Sequence, residues 1–242
     1  MGSDDLFKKS KAKRIKSKTT RSIKTKDSIK RILIVSEGIK TEPIYFQFLI
    51  DRFKLLTTDV VVEGSKDSCP LKVVKFAKKL YDASIEKGNK YDLIYCVIDK
   101  DTHAHYNNAL TLAQTFKKNN FTIINSVPCF EFWLLLHYTH TTKPFTMTLN
   151  KSICQSLISD ELKKYLPNYV KNISTLDKDS LDYIFNPKTI KQAIKRSEII
   201  INHCKTCNTD NPSTMIHEVV KELQTQQERK KKILNDDKTT SK

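Results

Sequence analysis

Two stretches decide the fold: Ile32-Leu33-Ile34-Val35-Ser36-Glu37-Gly38 and Leu93-Ile94-Tyr95-Cys96-Val97-Ile98-Asp99-Lys100-Asp101. Each is a short apolar run, rich in β-branched residues, that stops abruptly at carboxylates. A continuous apolar run of this length fits a strand covered on both faces, as in a parallel sheet flanked by helices. Ligand sites in such sheets lie in the crevice beyond the carboxyl ends of the strands. That rule brings Glu37, Asp99 and Asp101 to one edge, although about 60 residues separate them in sequence. Clustered carboxylates repel one another and are most readily held together by a hard divalent cation. Mg²⁺ is typically bound through one or two carboxylates plus substrate phosphates.

Reading outward, Gly38 permits a tight turn after the first strand. Thr41-Glu42-Pro43 then has the form of a helix start, with Thr41 as cap and Pro43 in the first turn. Tyr45, Phe46, Phe48, Leu49 and Phe53 follow at helical spacing. Residues 60–63 read as a second strand, 71–85 as a helix, 93–98 as the third strand, 109–116 as a helix and 121–127 as a fourth strand. Such alternation predicts an α/β fold with a mostly parallel sheet and right-handed crossovers. Residues 130–138 form a dense apolar block, interrupted by Glu131 and His137. The pattern is weaker over 140–180. A basic amphipathic helix is expected over 188–204, a turn and helix start over 211–214, and a last ordered helix over 215–223. The resulting division is a disordered basic arm (1–29), an α/β core (30–140), a mainly helical C-terminal region (141–223) and a charged tail (224–242).

The chain has 242 residues with 38% hydrophobic content, enough for a concentrated core. No stretch approaches the roughly 18 apolar residues of a membrane span, and no secretory apolar region follows the start. The six cysteines are scattered, a pattern expected of reduced thiols in a cytoplasmic protein rather than of a disulfide framework. Formal charge is +16. Residues 1–29 carry ten Lys/Arg against three Asp, which leaves +9 on the remainder. A basic body together with a basic arm favours a polyanionic partner over mere solubility.

Each candidate residue has a bland reading beside the chemical one. Glu37 alone is a surface Glu at a strand end; in company it is a catalytic carboxylate, either metal ligand or general base. Asp99 and Asp101, spaced i, i+2, point to one side of an extended backbone and can share a cation, whereas a solvated turn is the alternative. His103 and His105 are polar loop residues, of which His103 is the candidate for orienting a phosphate. Glu131 sits in an apolar block, where a charge is costly unless paired or metal-bound; a helix-start Glu is the alternative. Lys40 and Thr41 lie where a phosphate would meet a helix N-terminus. Lys191, Lys195 and Arg196 on the basic helix are candidates for the phosphate backbone. Cys204 and Cys207 have C-x-x-C spacing beside His203, but no second pair follows, so zinc is not expected there. No Walker loop and no G-x-S-x-G elbow is present.

The segments Ile-Leu-Ile-Val-Ser-Glu-Gly-x-Lys-Thr-Glu-Pro-x-Tyr-Phe (32–46), Ile-Asp-x-Asp-x-His (98–103), Pro-Cys-Phe-Glu-x-Trp-Leu-Leu-Leu-His (128–137) and Asn-Pro-Ser-Thr (211–214) together resemble the RloB-like proteins. The resemblance covers most of the chain, to about residue 223. It implies a Toprim-like fold and a Mg²⁺- or Mn²⁺-dependent nuclease in prokaryotic antiviral defence. Glu37 would be acid/base or ligand, Asp99 and Asp101 cation ligands, and Glu131 a further acidic residue. Ser36, Ile39 and Val127 depart from the family pattern, and Ile39 leaves open whether one cation is bound or two. The implied partners are nucleic acid (DNA, or an RNA such as tRNA) and an AAA-type ATPase; self-association is left open. A second reading is a non-catalytic nucleic-acid-binding or regulatory subunit of an ATPase-containing defence complex.

Overall fold

The computed structural model describes residues 29–240 apart from 58, 66–68 and 101–104. The basic arm expected over 1–29, together with Asp101 and His103, therefore lies almost wholly outside the described residues. The parallel strands are β1 (Ile32–Ser36), β2 (Val60–Gly64), β3 (Leu93–Asp99) and β4 (Phe121–Val127). Helices α1 (Thr41–Arg52), α2 (Pro70–Glu86) and α3 (Tyr106–Thr115) make the crossovers. The sheet order is β2-β1-β3-β4-β5, with all pairs parallel except the last. This is the expected α/β architecture, a mostly parallel sheet flanked by helices and followed by a helical C-terminal extension.

The apolar runs of β1 and β3 serve two cores at once. Ile32 and Ile34 of β1, with Tyr95 and Val97 of β3, face one hydrophobic cluster. Leu33 and Val35, with Ile94, Cys96 and Ile98, face the other. The period of two along a strand sends alternate residues to opposite faces, so a strand covered on both sides must be apolar throughout. The smaller cluster is closed by Val73, Val74, Ala77 and Tyr81 of α2 and Ala109 and Ala113 of α3. The larger is closed by Tyr45, Phe46, Leu49 and Ile50 of α1 and by the helices that follow β4.

Those later helices are α4 (Glu131–Leu135), α5 (Ile153–Ser156), α6 (Lys178–Ile184), α7 (Pro187–Thr206) and α8 (Ile216–Thr240), with β5 (Ser213–Thr214) before α8. Three details differ from the sequence reading. Residues 213–214 form a strand antiparallel to β4 rather than only a turn, with Ser126 opposite Thr214 and their hydroxyls 2.9 Å apart. The last helix continues past residue 223, because the side-chain carbonyl of buried Gln226 accepts from the Lys30 N–H at 3.0 Å and its amide donates to Glu222. Thr41 is the first helical residue rather than a cap, and no side chain caps α1.

The cysteine expectation also fails in part. Cys69, Cys96, Cys204 and Cys207 are free thiols, but Cys129 and Cys154 form a disulfide with a Cα–Cα distance of 5.8 Å. The 24 residues between them carry no signal of this; the two cysteines meet only in the folded chain. Among the described residues, no helix is long and apolar enough to cross a membrane.

Candidate active site

β1 and β3 are adjacent and in register, so their carboxyl ends open on the same edge. Glu37 follows β1 directly and is 8% exposed. Its Oε1 accepts the backbone N–H of Asp99 at 3.0 Å, joining the two strand ends. The turn after Glu37 lies close over β2. A Cβ at Gly64 would stand 2.6 Å from the Gly38 carbonyl oxygen and 2.8 Å from Ile39 Cα. A Cβ at Gly38 would stand 2.6 Å from a Glu42 carboxylate oxygen. Gly64 therefore permits a close backbone approach that any other residue would obstruct, whereas a side chain at Gly38 would displace the Glu42 carboxylate.

The resulting cavity, about 340 Å³, is lined by residues 37–42 together with Asp99, Cys129, Glu131, Cys154 and Lys171. A larger one, about 620 Å³, borders Asn125, Lys205 and Asp210 but gathers no cluster of acids, so chemistry rather than volume distinguishes the smaller. Asp99 keeps part of its surface open to the cavity while protein surrounds its carboxyl. Burial, then the charges of Glu42, Glu131 and Glu37, push its pKa well above the usual carboxylate value, and Lys171 opposes them. Glu42 is raised to about 7, first by burial and then by Glu131, against its own backbone hydrogen bond and Lys171. Mutual raising of this kind is the electrostatic signature of acids gathered with too little positive charge between them.

Glu131 begins α4 and is 4% exposed. Its Oε1 accepts from the Tyr169 hydroxyl at 3.1 Å, and its Oε2 lies 3.4 Å from Cys154 Sγ. Lys171 reaches the cavity from a backbone with φ 56°, a left-handed conformation uncommon for a residue with a Cβ. Its carbonyl accepts the Thr41 hydroxyl at 2.6 Å, which fixes the segment against the start of α1.

The sequence candidates thus separate. Glu37, Asp99, Glu131, Lys40 and Thr41 all line the cavity. Lys40 is exposed and open to a ligand, whereas Thr41 is buried and its hydroxyl is engaged by Lys171. Lys191 and Lys195 are exposed on α7 and do not line the cavity. Arg196 does not serve as an open phosphate contact: it is half-buried, and its guanidinium donates to the Leu136 carbonyl at 2.7 Å, closing the end of α4. Sequence reasoning missed Glu42, Lys171, Tyr169 and the cysteine pair. Glu42 had a usable signal, a second acid five residues after Glu37 across a turn. Lys171 had none.

The Cys₂Glu group of Cys129, Glu131 and Cys154 is fully buried, with potential ligand atoms within 4.8 Å of one another. No curated protein matches the chain. The motifs at 32–46, 98–103, 128–137 and 211–214 all fall within one family match: the chain belongs to the RloB-like protein family, whose model matches residues 32–223.

Proposed function

We propose that this chain is a metal-dependent phosphodiesterase acting on nucleic acid, an effector of prokaryotic antiviral defence. The observation that carries the reading is the convergence of Glu37, Glu42, Asp99 and Glu131 on one cavity at the carboxyl ends of β1 and β3. The raised pKa values of Glu42 and Asp99 fit a site completed by a divalent cation, since added positive charge would relieve their repulsion. Glu37 and Asp99 would hold the cation, with Asp101 the further candidate ligand. A bound Mg²⁺ or Mn²⁺ supplies charge neutralisation at a scissile phosphate and lowers the pKa of water.

The chain's own groups have distinct parts in this reading. Glu42, titrating near neutrality, is placed to take a proton from an attacking water or hydroxyl. Glu131, fixed by Tyr169, adds negative charge and orients the site. Lys171 and exposed Lys40 offer point charges to phosphate oxygens beside the N-terminus of α1. Lys191 and Lys195 would hold a longer stretch of backbone without reading its sequence. The net charge of +16 suits DNA or RNA as the partner, and family membership is the ground for an AAA-type ATPase as a second one.

The test is incubation of the purified chain with plasmid DNA, single-stranded DNA and total tRNA, in Mg²⁺, Mn²⁺ or EDTA, beside Glu37→Gln and Asp99→Asn. Cation-dependent cleavage lost in both variants supports hydrolysis and identifies the substrate class. Salt-dependent binding with no cleavage, with and without the ATPase, would instead favour a non-catalytic subunit.

A further inference from the structure

The disulfide stands in an unusual place for a structural brace: both of its cysteines border the acidic cavity, with a buried carboxylate against the sulfur of one of them. Glu131 Oε1 has the Tyr169 hydroxyl as donor, but Oε2 faces Cys154 Sγ at 3.4 Å. A disulfide sulfur carries no proton, so in the oxidised form this contact supplies no hydrogen bond to a nearly fully buried carboxylate. A thiol would supply one, and a cation bound between sulfur and oxygen would serve the charge better still.

The three groups also have the spacing of a ligand set. Cys129 and Glu131 form a C-x-E pair at the entry to α4, and Cys154 comes from α5. The start of α5 is fixed by a capping box in which Ser152 and Gln155 satisfy each other's backbone N–H groups. Sulfur and oxygen bound to tetrahedral zinc lie roughly 3.5 Å apart, and two such sulfurs roughly 3.8 Å apart. The carboxylate–sulfur contact already has the first of these separations, and side-chain rotation after reduction provides the second. Thiolates favour soft cations, whereas Glu37 and Asp99 offer only oxygen, so the two ligand sets differ in the ion they select.

We propose that reduced Cys129 and Cys154, with Glu131, bind a divalent cation of the zinc class, and that the disulfide is the form from which it has been released. Three protein ligands leave a fourth position, for which the cavity has room for water or a phosphate oxygen. Release balances with a low-molecular-weight disulfide of the glutathione class as oxidant. One protein thiolate attacks it and expels a small thiolate; the second protein thiolate then attacks the mixed disulfide and expels the other. Both cation–sulfur bonds break, one protein S–S bond forms, two electrons leave on the two small thiolates, and the cation passes to solvent.

The test uses the full chain reduced with a phosphine, with Co²⁺ as probe and Zn²⁺ as competitor. The expected result is one Co²⁺ per chain with thiolate-to-cobalt charge transfer, displaced by Zn²⁺. The band should persist in Glu37→Gln and Cys207→Ser and disappear in Cys154→Ser. Glu131→Gln should weaken binding at least tenfold, and it keeps the test decisive if Cys154→Ser does not fold. Oxidised glutathione should release the ion as mass spectrometry finds the Cys129–Cys154 bond re-formed. Three results would overturn the proposal: no thiolate band in the reduced chain, a band that survives Cys154→Ser but vanishes in Cys207→Ser, or a Cys129–Cys154 bond that resists reduction in the folded protein. Loss of cleavage in Glu37→Gln with an intact cobalt band separates this site from the hydrolytic one.

Discussion

Replacing Glu42 by Gln tests the electrostatics of the acidic cavity most directly. In the native chain Glu42 titrates near 7, raised first by burial and then by Glu131. A cation that needs this carboxylate ionised must displace its proton at acid pH. The ionised fraction rises from about one in thirty at about pH 5.5 to about nine in ten at about pH 8, so Mn²⁺ affinity should rise about 30-fold, or ~2 kcal/mol. Asp99, raised in the same direction, steepens the dependence further. In the variant the first proton is gone, and Asp99 loses the strongest of the charges that raise it. Affinity near pH 8 should fall and its pH dependence flatten.

The same shift fixes the sign of the stability change. The folded pKa of Glu42 lies above its ordinary value of 4.5, so the cation-free fold binds this proton more tightly than the unfolded chain. Stability is fully present below about 4.5 and is lost as pH rises through about 7, by up to ~3 kcal/mol before solvent entering the cavity reduces it. Cation-free Glu42→Gln should therefore be more stable than the native chain near pH 8, and the two should converge at acid pH. Calorimetric Mn²⁺ titrations at several pH values and denaturant melts in EDTA measure both effects. A native Mn²⁺ affinity that is flat across this range, with no stability gained in the variant, would refute the electrostatic account.

Other substitutions separate structural cations from binding ones. Arg196→Ala leaves the Leu136 carbonyl without its donor and should cost about 1–3 kcal/mol in a denaturant melt. Lys191→Gln with Lys195→Gln should leave stability within about 0.5 kcal/mol, yet lower the slope of log affinity against log salt for nucleic acid by about 2. Tyr45→Phe removes the acceptor, 2.7 Å away, of the buried Trp133 indole N–H and should cost about 1–3 kcal/mol, read from the emission of the single tryptophan during unfolding. Gly64→Ala should push residues 38–39 off β2 and weaken Mn²⁺ binding while leaving far-ultraviolet dichroism intact; unchanged affinity would show that this approach does not shape the cavity.

What was legible in the sequence is what is encoded locally. β1 and β3 could be read because both faces are buried, so neither run has a polar position until it ends. The end of a buried parallel strand is also where sites form, which is why Glu37 and Asp99 stood out before any geometry was known. β5 has two residues, too few for any period, and is defined by its partners on β4. The extent of α8 depended on Gln226, a polar residue whose burial follows from Lys30 at the opposite end of the described chain. Sequence patterning counts such a residue as solvent-facing.

The site divides along the same line. Glu131 was visible as an anomaly, a charge inside an apolar block, because the cost of burying it follows from composition alone. What meets that cost did not follow from composition. The Tyr169 hydroxyl is 38 residues away and the Cys154 sulfur 23, both from a segment with weak periodicity. Lys171 arrives still later, on a left-handed residue tied to Thr41 across 130 positions. An isolated buried acid therefore serves as a locator: it indicates that distant residues must converge on it, without naming them. In this chain the residues that converge on Glu131 bring with them the cysteine pair and the only lysine among the described residues whose charge opposes the raised pKa of both Asp99 and Glu42. That dependence makes Glu131 the position where a neutral substitution should disturb both halves of the cavity at once.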